Sequence, residues 1–165
     1  MELFNAGNLP ISLVGKELVF FNGSGTGGEY FVTGGARIDL SLAGAQLAPG
    51  QYLLFRTAAV TVPGGVLSID FTPAAGGSIQ NGAPDALGVW DTVTSAWVDR
   101  LSYEGDTKVG GVSMQEGAAS TTTLADPGND DVSSISRLPN GVDSDVNGVD
   151  FKVSGKATPG APNEP

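Results

Sequence analysis

Asp143, Asp145, Asn147 and Asp150 fall within eight residues, in the segment DSDVNGVD. Oxygen-bearing side chains at alternate positions ahead of a glycine, here Gly148, are how the first half of a calcium loop presents its ligands. Calcium suits such a set because it is a hard cation that prefers oxygen and tolerates irregular geometry. The pattern then departs: Asp150 falls at the eighth position, and Ser154 stands where a bidentate Glu closes such loops. The other reading is a capped turn, with Asp and Asn side chains accepting from nearby amides. Both readings stay open from the sequence. If calcium is held, Asp143 and Asp145 are its first ligands, and Asn147, Asp150 or a backbone carbonyl stand beside them. Asp126, Asp130 or Asp131 would complete the shell.

Little other chemistry is available. Histidine and cysteine are absent, which excludes Ser-His-Asp and Cys-His catalysis, ordinary zinc sites and disulfides. A carboxylate pair for glycoside hydrolysis remains conceivable, but 18 acidic residues bring some pair together by chance. Gly23, Gly25 and Gly28 match G-x-G-x-x-G, yet EYFVT follows, which reads as strand. A phosphate loop needs a helix there, so a hairpin tip is expected. Arg137, between Ile135 and Leu138, reads as one member of a structural ion pair. The net charge of −10, with only 8 basic residues, disfavours nucleic acid and anionic membranes.

The elements that must position these groups read as strands. A chain of 165 residues makes one domain, and its 25 Gly and 10 Pro interrupt every longer run. Period-two alternation predicts strands at 2–5, 11–14, 17–22, 29–33, 36–40, 51–57, 66–71, 87–92, 96–103, 133–138 and 150–153. Turn signals separate them, such as Ala48-Pro49-Gly50 and Pro63-Gly64-Gly65. Residues 72–85 and 104–131 read as long polar loops with room for a short hairpin. The aromatics Trp90, Trp97, Tyr52, Tyr103, Phe20, Phe21, Phe31 and Phe55 sit in apolar strands and are expected in the core. Neighbours such as Phe20 and Phe21 must point to opposite faces, so one of the two is a candidate for exposure and for stacking on sugar. No apolar run is long enough for a transmembrane helix. The chain opens MELFN without a leader, and the expectation is that a targeting sequence precedes it in the gene.

Five segments, in order, resemble the bacterial form of the lamin tail domain. They are ELFNAGNLPISLVGKEL at 2–18, LAPGQYLLF at 47–55, ALGVWDTVTSAWVDRLSYEG at 86–105, SISRLPNGVDSDVNGVDF at 134–151 and ATPGAPN at 157–163. The stretches 58–85 and 106–131 lie outside the likeness and read as insertions. Lys16-Glu17 stands where the family usually carries Trp, and the family's first strand has no counterpart before Glu2. The resemblance implies an all-β, immunoglobulin-like antiparallel sandwich over residues 1–156, followed by a Pro-rich tail at 157–165. It also implies an extracellular or cell-surface interaction or attachment module of an exported bacterial protein, without a catalytic set.

The expected function is therefore non-catalytic binding of a protein or glycan. The alternatives are a carboxylate-dependent glycan hydrolase and a purely structural spacer. An absent first strand would leave a sheet edge unpaired, to be covered by the tail, by an insertion or by a second copy of the chain as a homodimer.

Overall fold

In the computed structural model, residues 1–24, 28–29, 37–71, 79, 82–125 and 132–165 are described. The expected strand at 29–33 lies largely outside them, as do Gly25, Phe31, Asp126, Asp130 and Asp131. The strands are β1 (Glu2–Phe4), β2 (Ile11–Ser12), β3 (Lys16–Asn22), β4 (Gly28–Glu29), β5 (Arg37–Asp39), β6 (Gln46–Leu47) and β7 (Tyr52–Arg56). They continue as β8 (Leu67–Asp70), β9 (Asp85–Asp91), β10 (Ala96–Tyr103), β11 (Lys108–Val109), β12 (Val112–Ser113), β13 (Ser134–Arg137) and β14 (Phe151–Ser154). Among the described residues, helix is limited to a 3-10 turn at Leu40–Ala43 and one α-turn, α1 (Asn147–Asp150). The fold is all-β.

Two sheets carry the core. The larger runs β10-β9-β3, with β4 and β5 sharing the far side of β3; the smaller runs β1-β7-β8. Alternation assigns the faces. Leu18 and Phe20 of β3, Leu87 and Val89 of β9 and Ile38 of β5 meet Leu53 and Phe55 of β7, Leu67 and Ile69 of β8 and Leu3 of β1. One contiguous apolar cluster thus fills the space between the sheets. Three small ladders, β2-β6, β11-β12 and β13-β14, complete the strand pairing.

The structure changes two expectations. Phe20 and Phe21 do point to opposite faces, but both are buried. Val19 and Phe21 pack with Ala86, Met114, Val109, Trp90 and Trp97, so the outer face of β3 is covered as well. Val109 and Met114 come from the β11-β12 hairpin and its exit, inside the stretch read as a polar loop. Each buried Phe contributes about 1.5–3 kcal/mol, which is why a strand as apolar as LVFF needs cover on both sides. The pairing is also not antiparallel throughout: β8 runs parallel to β7. Residues 57–66 connect the two strands.

The outer face of the small sheet is covered from the C-terminal side. Phe4 stacks on Tyr52 at 4.5 Å between ring centroids. Asn140 Nδ2 donates to Tyr52 Oη at 3.1 Å. Gly141, at φ +71°, leaves no room for a Cβ, which would stand 2.8 Å from the Phe4 ring. The Pro-rich tail approaches β1 through a side chain: the Gly160 amide donates to Glu2 Oε2 at 2.8 Å. It adds no ladder strand there.

Candidate functional site

β10 is an edge strand, and such an edge presents amides and carbonyls that need partners. One side chain supplies two of them. Asn147, fully buried at the start of α1, accepts on Oδ1 from the Ser102 amide at 3.2 Å. Its Nδ2 donates to the Arg100 carbonyl at 3.0 Å. A carboxamide has the donor and acceptor of a peptide group, so Asn147 stands in for one residue of a missing strand. The same Oδ1 takes the Glu116 amide at 3.0 Å, and the Asn147 amide donates back to the Glu116 carbonyl at 3.0 Å. Three segments distant in sequence are thereby closed on one another. Further along the edge, Glu104 N donates to the Leu124 carbonyl at 3.0 Å. A register shift between Trp97 and Asp99 interrupts the β10–β9 ladder at Val98.

Arg137, at the end of β13, is the electrostatic centre. Its Nη2 donates to both oxygens of Asp99, at 2.8 and 2.9 Å. Its Nη1 pairs with Asp143 and, at 3.4 Å, with Asp150. The guanidinium lies 4.6 Å over the Phe151 ring. A planar fork of donors can serve several carboxylates at once, and Lys could not replace it here. The structural ion pairing expected for Arg137 is present.

Asp150 closes the loop from within. Its oxygens accept from the Ser144 hydroxyl at 2.6 Å, the Ser144 amide at 2.9 Å and the Val146 amide at 3.2 Å. Burial alone would raise its pKa, but these donors and Arg137 outweigh it and hold the carboxyl below the ordinary aspartate range. Asp145 takes the left-handed conformation, φ 55°, that the turn requires. The Asp145 amide donates to Asp143 Oδ1 at 3.0 Å.

The sequence candidates therefore divide. Asn147 and Asp150 are buried and engaged by protein donors and acceptors, whereas Asp143 and Asp145 are exposed. A carboxylate the sequence did not flag joins the latter pair: one oxygen each from Glu116, Asp143 and Asp145 lie within 4.8 Å of one another. Burial pushes Glu116 up to about 7, helped by the charges of Asp99 and Asp143 and opposed by Arg100 and Arg137. Glu116 Oε2 also accepts from Asn147 Nδ2 at 3.2 Å. An oxygen-lined surface triad of this kind has the donors a hard cation takes. Glu116 sits more than twenty residues upstream in a Gly-rich segment, and no local pattern points to it.

A concavity lies between β5 and β8. It encloses about 180 Å³ and is lined by residues including Arg37, Asp39, Ile69, Asp70 and Phe71. That is below the roughly 300 Å³ at which small-molecule sites begin. Its charged groups are engaged: Asp39 caps the 3-10 turn through the Ser41 amide at 2.8 Å, and Asp70 pairs with Arg56 at 2.6 Å. Arg37 bridges Glu17 at 3.0 Å and Glu29 at 2.7 Å. The β3–β4 pairing places Gly28 in a strand opposite Asn22, so a strand follows the glycine-rich tip.

Compared with protein-family models, curated proteins and solved structures, the chain matches none.

Proposed function

We propose that this chain is a non-catalytic interaction or attachment module of an exported protein, an immunoglobulin-like sandwich of the lamin-tail type that binds protein or glycan. One observation carries this reading: in the motif richest in chemical groups, Arg137, Asn147 and Asp150 are all engaged in closing the fold. Groups held by several structural bonds each are poorly placed to bind and transform a substrate. What the motif leaves exposed is Asp143 and Asp145, which with the half-buried Glu116 form an oxygen triad that we assign to a structural calcium ion. Asn147 and Asp150 support that loop from behind.

A second reading draws on Glu116. A carboxyl raised to about 7 beside other carboxyl groups is the kind of pairing that glycoside hydrolysis uses. Against it, Asp143 is already paired with the Arg137 guanidinium and accepts from the Asp145 amide at 3.0 Å. Purified protein should be incubated with insoluble polysaccharides, cell envelopes and matrix proteins, then assayed both for retention and for reducing-sugar release. Retention without release supports the module. Release that Glu116→Gln abolishes establishes the hydrolase instead, and neither retention nor release leaves the spacer.

A further inference from the structure

We infer that one end of the large sheet is a self-association surface, on which a second copy of this chain docks end to end. Register defines that end. Lys16 opens β3 opposite Asp91, which closes β9, and Glu17 lies opposite Asp39, which closes β5. The segments that meet there are 13–15, 40–45 and 92–95, and strands about 4.8 Å apart bring them into one row. The β2–β6 ladder runs beside them, joined by the Leu13 amide on the Ala45 carbonyl at 2.9 Å. Leu13, Leu40 and Leu47 plug the core from this end, whereas Ile11, Val14 and Leu42 turn outward and are exposed. Val93 rests over Gly15: a Cβ there would stand 3.0 Å from Val93 Cγ2, and the Thr92 amide donates to the Gly15 carbonyl at 2.8 Å. Asn5 Nδ2 donates to the Leu9 and Leu47 carbonyls, both at 2.9 Å, which holds Leu9 at the ladder.

Single exposed aliphatics are ordinary, whereas a cluster marks a contact surface. Among the described residues twelve large aliphatics are exposed, and five of them gather here. They include the three most exposed, Val93 at 79 %, Leu42 at 72 % and Leu9 at 71 %. Residues 6–15, 40–50 and 92–95 hold no charged side chain and no aromatic ring, in a chain of net charge −10. The charges that border them are engaged: Lys16 pairs with Asp91 at 3.2 Å, and Asp39 caps the 3-10 turn. This chemistry selects the occupant. The end offers no cation to nucleic acid or anionic lipid, and no ring to stack on sugar. A second copy fits on charge. Elsewhere two chains of −10 repel, but here an uncharged apolar surface meets its own image across a two-fold axis. End-to-end contact also leaves the two acidic bodies on opposite sides of the interface.

Sedimentation equilibrium of the purified protein, from about 5 μM to about 500 μM, reads the association directly. A reversible monomer–dimer equilibrium is expected, tighter at about 0.5 M salt than at about 0.05 M, because salt screens the repulsion between acidic bodies and spares the apolar contact. Leu42→Asp or Val93→Asp sets like charges against each other across the axis and should weaken the dimer by about a hundredfold. Val112→Asp adds the same charge at an exposed position of the β11–β12 hairpin and should leave the dimer unchanged. Val93→Thr, which adds no charge, should weaken it by about tenfold and serves if an Asp variant does not fold. A monomer at every concentration and salt overturns the proposal, as does a dimer that the Leu42 and Val93 variants leave intact. Co-flotation of a monomer with neutral phosphatidylcholine vesicles, lost in Leu42→Asp, would overturn it too and give this end to lipid.

Discussion

Asp85 and Asp150 are buried almost equally, at 0 % and 4 % exposure, and behave in opposite ways. Burial pushes both up, but Asp150 ends below its ordinary range and Asp85 well above it. The difference lies in the partners. Asp150 receives two amides and a hydroxyl at 2.6–3.2 Å and lies beside a guanidinium. Asp85 receives two amide bonds, at 3.2 and 3.3 Å, and no hydroxyl, and has Glu104 as its charged neighbour. The number, distance and sign of its partners, rather than burial itself, decide whether a buried carboxylate ties a fold together or strains it.

That comparison breaks most readily by truncation. Asp150→Ala leaves two amides unsatisfied and removes one counter-charge of Arg137; it should cost about 3 kcal/mol or more in urea unfolding at neutral pH. Asp85→Ala removes a charge that the fold stabilises poorly and should cost about 1 kcal/mol or less under the same conditions. Equal costs would show that burial alone governs both sites.

Stability against pH sharpens it. Asp85, raised from 3.8 to about 6, and Glu116, raised from 4.5 to about 7, contribute stability below their ordinary values that is lost as pH rises through the raised ones. Asp150, held low, contributes stability above its ordinary value that is lost as pH falls through the depressed one. The unfolding free energy from urea titrations should peak near about pH 4–5 and decline by about 2 kcal/mol towards about pH 8. A profile that rises steadily to pH 8 would contradict both raised groups.

The smallest effect belongs to the surface triad. In metal-stripped protein at about pH 8, Glu116→Gln removes repulsion from Asp99 and Asp143 and should stabilise by no more than about 1 kcal/mol. Calcium should raise the melting temperature of the wild type by mass action and that of the variant less or not at all. Equal curves for the wild type with calcium and with chelator would leave the triad without a metal role.

Much of the scaffold was legible in the sequence. Alternation located β3, β7, β8, β10 and β13 within a residue or two; β3, β7 and β8 each carry one face of apolar side chains into the core. Phe21 was harder. Its cover comes from Val109 and Met114, two apolar residues in a segment too glycine-rich to show any period. The acidic motif was visible as a cluster of oxygens, but the two readings of it differ in long-range contacts that spacing does not encode. Asn147 faces Arg100 and Ser102, nearly fifty residues away, and Asp99 and Glu116 reach the site only through folding. Asp85 gave no signal, since an aspartate after a proline reads as a turn residue until the strands on either side of it are placed.

The central claim is that the acidic motif closes the fold, with the Asn147 carboxamide standing in for a strand at the edge of β10. Native-state hydrogen exchange in Asn147→Ala tests it directly, with Asp145→Ala as the control on the same loop. Protection of the Ser102 and Glu116 amides should fall by about tenfold or more relative to Val19 in Asn147→Ala and stay near wild type in Asp145→Ala. Unchanged protection of both amides in Asn147→Ala would contradict the claim.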